Sequence, residues 1–135
     1  MSRANLVVTL AAAMMAMCSS AASAAPASSA AFEACTERAQ GAIEQAACLA
    51  DESERQDRRL NQLYQQLQAR LDATAKARLL AAQRAWLQSR QRDGELEAAL
   101  YDDSQPENLQ QELNDTERLR ARADQLETYL QLIGS

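Results

Sequence analysis

The sequence predicts an all-α protein: a small helical bundle with a disulfide-clipped N-terminal helical hairpin and a long C-terminal helix. Three observations lead there. Glycine and proline, which interrupt helices, number only 3 and 2 in 135 residues. Ala, Leu, Gln, Glu and Arg, all good helix formers, dominate what remains. Apolar residues recur at the three-and-four spacing that lines one face of a helix, and no segment alternates with the period of two that a strand requires.

The first 24 residues read as a cleaved export signal. Arg3 is a thin positive start, the apolar stretch from Leu6 to Met17 is too short to span a bilayer, and Ala22-Ser23-Ala24 has the A-x-A form of a signal-peptidase site. Cys18 could compete as an acylated lipoprotein cysteine, but the residue before it, Met17, is not small, which argues against lipidation. Residues 25–31, with Pro26, Ser28 and Ser29, read as an unstructured mature N-terminus, and residues 32–135 as a single helical domain. The expected location is therefore periplasmic or secreted, with no membrane span in the mature chain.

Phe32, Cys35 and Ala39 share one helical face before Gly41, and Ile43 and Ala47 belong to the segment after it. On one continuous helix Cys35 and Cys48 would lie roughly 20 Å apart, whereas a disulfide tolerates about 7 Å between Cα atoms. If they pair, the chain turns back near Gly41. An even cysteine count after signal removal suits an oxidising compartment. The pair is read as structural, because redox pairs usually sit in C-x-x-C and a metal site needs more than two thiolates.

The next run, Leu60, Leu63, Tyr64, Leu67 and Leu71, lines one helix face, with Glu52 and Glu54 near its start suiting the positive end of the helix dipole. Ala75, Leu79, Ala82, Trp86, Leu96 and Leu100 follow. Thr74 is a candidate N-cap between the runs, though one long helix over residues 60–100 also fits, since no Gly or Pro forces a turn. After a loop at Asp102-Asp103-Ser104, Pro106 can occupy a first helical turn. Leu109, Leu113, Thr116, Ala123, Leu126, Leu130 and Ile133 then extend the last helix to Gly134.

Catalysis has little to build on. The chain has no histidine, the commonest general base and zinc ligand, and no Gly-rich phosphate loop or G-x-S-x-G. Asp51, Glu52, Glu54 and Asp57 cluster locally, but they read as a solvated first helical turn rather than a glycosidase pair. No enzyme activity, cofactor or metal is expected. Loss of Arg3 with the signal leaves 13 basic against 19 acidic side chains, a formal charge of about −6. That balance disfavours nucleic acid and suits a cationic protein partner.

The polar residues inside the apolar runs carry a resemblance. Asp57-Arg58-Arg59-Leu60-Asn61-Gln62-Leu63-Tyr64, then Ala82-Gln83-Arg84-Ala85-Trp86 with Arg90 four residues on, resemble the D-x-x-L-N-x-x-Y and A-Q-R-x-W-x-x-x-R signatures of the LprI-like lysozyme-inhibitor family. Cys35, Ala39, Glu44 and Cys48 are similar to its C-x-x-x-A and E-x-x-x-C elements, with Gly41 where the family often has Thr or Ser. The resemblance covers residues 32–92. Beyond it, the positions of a second family disulfide fall near Gly94 and Glu112, neither a cysteine, and Thr116-Glu117-Arg118 resembles the terminal T-x-x-R region only loosely.

The resemblance implies a small exported helical protein that inhibits lysozyme, the partner being a basic lysozyme or another cell-wall hydrolase. Read physically, Tyr64 and Trp86 are core residues, with Asp57, Asn61, Gln83 and Arg90 as polar partners to their hydroxyl and indole groups. A buried Arg90 guanidinium needs a carboxylate, expected from Asp57 or from a neighbouring helix end. Residues 93–107 read as a loop carrying Asp93, Glu95, Glu97, Asp102, Asp103 and Glu107, with Tyr101 as an aromatic anchor, and form the candidate partner-binding segment. The rival expectation is an envelope adaptor or chaperone-like protein that dimerises through the heptad-like face of residues 109–133.

Overall fold

A computed structural model describes residues 28–134. The expected signal peptide, its expected cleavage site and Cys18 lie outside the described residues. Four α-helices follow in order: α1 (Ala30–Arg38), α2 (Ala42–Arg70), α3 (Ala73–Leu100) and α4 (Gln105–Ile133). No strand occurs among the described residues, and none of these helices is long and apolar enough to cross a membrane.

The helix α1 begins ahead of the expected boundary at Phe32. Ser29 sits at its N-cap, accepting a hydrogen bond from the Phe32 amide at 3.1 Å, so Ala30 and Ala31 are already helical. None of its residues is buried. Two ties hold it instead: the Cys35–Cys48 disulfide, with Cα atoms 5.7 Å apart, and a 2.5 Å hydrogen bond from the Ser29 hydroxyl to the Glu52 carboxylate. Gly41 separates the two helices in an extended conformation, φ −167°, that any residue can adopt.

The alternative of one long helix over residues 60–100 is excluded by a break at Leu71 and Asp72. Asp72, not Thr74, is the N-cap of α3: its carboxylate accepts from the Ala75 amide at 2.8 Å, and Thr74 lies inside the helix. The expected loop over residues 93–107 is also shorter than predicted. The helix α3 runs through Gly94 to Leu100, leaving residues 101–104 as the connection, and Pro106 lies in the first turn of α4 as anticipated. Gly94 is tolerated because the position is exposed, where a helical glycine costs about 1 kcal/mol and disturbs no packing.

Packing centres on α4, which lies mainly against α2 and more sparsely against α3. Leu60, Leu63 and Leu67 of α2 and Leu79 of α3 meet Leu119, Ala123, Leu126 and Leu130 of α4. Tyr64 and Trp86 are only partly buried and flank this core, rather than sitting at its centre. Residue numbers rise together along α2 and α4: Leu49 lies near Leu109 and Leu113, Arg59 pairs with Asp124 and Glu127, and the Arg70 guanidinium is close to Gly134. These helices therefore run parallel, and the residue 101–104 connection lies at the disulfide end of the bundle. On the helix invoked for a dimer seam, Leu119, Ala123, Leu126 and Leu130 pack within the chain at no more than 8% exposure, whereas Leu132 and Ile133 at its end are exposed.

The acidic cluster near residue 52 also differs from expectation. With α2 starting at Ala42, these residues lie well inside the helix, and Glu52 is 3% exposed. Burial would raise its carboxyl pKa. Hydrogen bonds from Ser29, Gln56 and Arg55, with the Arg55 charge, outweigh that and hold it below its ordinary value. The residue is thus an anchor for α1.

Candidate functional site

Two surfaces are candidates, both set by α3 and α4. The first is the tip where these helices connect. Asp102 and Asp103 are exposed there, and Leu96 and Leu100, 57% and 72% exposed, stand beside them at the end of α3. The tip is ordered by its own polar groups. The Asp102 carboxylate accepts from the Ser104 amide at 2.7 Å, and the Ser104 side chain together with that amide holds it below its usual pKa, while the Glu107 carboxylate accepts from the Asp102 amide. Tyr101 is half-buried, its hydroxyl 3.5 Å from the Asn114 amide group. A carboxylate pair framed by exposed leucines can offer a cationic partner both long-range attraction and apolar contact area.

The second surface is the α3–α4 seam. Arg90 of α3 meets Asp115 of α4 through two hydrogen bonds, 2.8 Å and 2.6 Å, a fork-to-carboxylate arrangement. Those bonds raise the pKa of Arg90 and lower that of Asp115. Asp57, one of the two expected sources of a partner, contributes only a more distant charge to Arg90 and instead accepts from the Asn61 side chain at 3.1 Å. Arg118 meets Glu97 at 2.5 Å, with Asp93 at 3.9 Å, so two acids assigned to the partner-binding loop belong to this seam. Gln83 is buried and accepts from Arg122 at 3.0 Å. Two guanidiniums approach the Trp86 ring, Arg90 at 5.7 Å and Arg122 at 5.9 Å from its centroid, in cation–π range. A groove of about 400 Å³ opens beside it.

A family model described as "Lysozyme inhibitor LprI" matches residues 35–126, well over half of the chain. The chain belongs to the LprI lysozyme-inhibitor family. No curated protein and no solved structure matches it.

Within the LprI frame the signature residues divide by position. Leu60 is buried in the core, and Tyr64 packs at its edge with its hydroxyl accepting from Gln68 at 3.1 Å. Gln83, Trp86 and Arg90 build the α3 side of the seam, while Asp57 and Asn61 are exposed and bonded to each other. Cys35 and Cys48 clip α1 to α2. The residues missed in the sequence are on α4: Asp115, Arg118 and Arg122. A signal was present, because Arg118 and Arg122 are one helical turn apart and interleave with the apolar positions Leu119, Ala123 and Leu126. Among the described residues, no group of three His, Cys, Asp or Glu side chains is placed to hold a metal.

Proposed function

We propose that the chain is an exported, non-enzymatic inhibitor of lysozyme that covers the enzyme's substrate cleft. The observation that carries this reading is membership of the LprI family across residues 35–126. The acidic balance of the chain supports a basic lysozyme as partner, since opposite charge accelerates encounter. The tip around Tyr101, Asp102 and Asp103 is the contact surface, with Asp102 and Asp103 steering and Leu96 and Leu100 supplying apolar area. Tyr101 supports the tip from behind. Export through the N-terminal signal brings the protein to the compartment where a cell-wall hydrolase acts.

The test is a cell-wall clearing assay with a basic lysozyme and the purified mature chain. Clearing slows in proportion to added protein and stops near stoichiometric saturation. An unchanged rate at large molar excess refutes the reading.

A further inference from the structure

Three guanidiniums converge beside Trp86, and they are not equivalent. Arg90 is matched by Asp115, and Arg118 by Glu97 and Asp93. Arg122 is only 8% exposed, yet no carboxylate among the described residues forms an ion pair with it. Its Nε donates to Gln83 and its Nη1 to Gln125, both neutral, while the buried Nη2 has no acceptor. A buried cation is ordinarily paired and hydrogen-bonded, because desolvation penalises its charged form. Burial accordingly lowers the Arg122 pKa, with no carboxylate to offset it. The unmatched charge borders the groove beside Trp86, whose volume is in the range of small-molecule sites.

We propose that this α3–α4 groove binds a small monocarboxylate, whose carboxylate supplies the charge and acceptor that Arg122 lacks while its body lies beside Trp86. A single carboxylate answers the missing partner of Arg122 rather than a net deficit of charge, since the three arginines already face three acids. The other two cations already have acids, and a dianion would place surplus charge against Asp93 at the groove wall. Gln125, which accepts from Nη1, is an exposed residue that also lines the groove, so an incoming carboxylate can take its place at the guanidinium. The carboxylate belongs either to a free organic acid or to an acidic side chain of a bound protein. The inference stands apart from lysozyme inhibition and survives or fails without it.

Trp86 is the only tryptophan, so its fluorescence reports this groove without labelling. The purified chain is titrated with sodium acetate, sodium glucuronate and the end-blocked peptide Gly-Glu-Gly, against sodium chloride and phosphate at equal ionic strength. A saturable change with the carboxylates, weakened at least tenfold by Arg122→Gln, is expected. Tighter binding of glucuronate identifies a free acid as the ligand, and tighter binding of the peptide identifies a side chain. The wild-type melting temperature, read separately, rises with carboxylate concentration as binding to the folded state requires. An equal response to chloride, a stronger response to phosphate, an Arg122→Gln response matching wild type, or a flat wild-type melting temperature overturns the proposal.

Discussion

The two faces of α4 are built on opposite principles. Toward α2 it presents Leu119, Ala123, Leu126 and Leu130, nearly or wholly removed from water. Toward α3 it presents Asp115, Arg118 and Arg122, and beyond the apolar contact at Leu79 the contacts there are chiefly hydrogen bonds and ion pairs. Apolar burial is non-directional and supplies most of a small domain's stability. Ion pairs at partly exposed positions add little stability but fix register and leave charge available. The α2 side therefore holds the fold, and the α3 side offers the chemistry.

The contrast breaks most sharply at Leu126, which is 0% exposed. Leu126→Ala removes packing that cannot readily collapse and lowers stability by about 2–5 kcal/mol in urea unfolding. On the outer face of α3, Leu87 is 47% exposed, and Leu87→Ala changes stability by about 0.5 kcal/mol or less. Equal costs at the two positions would erase the distinction between the faces.

Next in size is the disulfide. Since α1 buries no residue of its own, Cys48→Ser costs on the order of 3 kcal/mol by the chain-entropy argument. Far-UV circular dichroism should still show a mostly helical protein, because the α2–α4 core does not involve the bridge. Complete unfolding on reduction would mean that the core is weaker than its burial implies.

Glu52 sharpens the account through pH. Its folded-state pKa lies below its ordinary value of 4.5, so its contribution is complete above that pH and is lost as the pH falls through the folded value. Asp115 acts in the same direction from an ordinary value of 3.8. With no histidine in the chain, melting temperature should be nearly flat between about pH 5 and 8 and fall below about 4.5. Glu52→Gln lowers neutral-pH stability by about 1–3 kcal/mol, since Ser29 loses its charged acceptor, and shallows the acid limb. An unchanged acid limb in that variant would remove Glu52 from the explanation.

The seam itself should register least. A double-mutant cycle on Arg90 and Asp115 is expected to give about 0.2–1 kcal/mol, and one on Arg90 and Asp57 less. A larger Asp57 coupling would reverse the assigned pairing.

These residues also show what was legible in the sequence. Leu60, Leu63 and Leu67 announced their face because helical spacing is a local property. Cys35 and Cys48 required a turn between them if paired, and the turn is present. Arg90 announced that it needs an acid, but the choice of Asp115 depends on which helix lies beside α3, and 25 residues separate the pair. Glu52 cannot be told from Asp51 and Glu54 by composition, because tertiary packing, including the docking of α1 through Ser29, decides which of them is buried. The end of α3 within residues 93–107 is not legible because the charges there are compatible equally with loop and with exposed helix, and residue type does not separate Asp72 from Thr74 because both are good caps.

The central claim, that α2–α4 packing holds the protein while the tip on the α3 side meets lysozyme, is tested most directly by one paired measurement. Association with a basic lysozyme at low salt and melting temperature are recorded for the wild type and for Asp102→Asn/Asp103→Asn. Association slowed on the order of 2–10-fold, with a flatter salt dependence and an essentially unchanged melting temperature, is the predicted result. Identical association kinetics for the two proteins would contradict it.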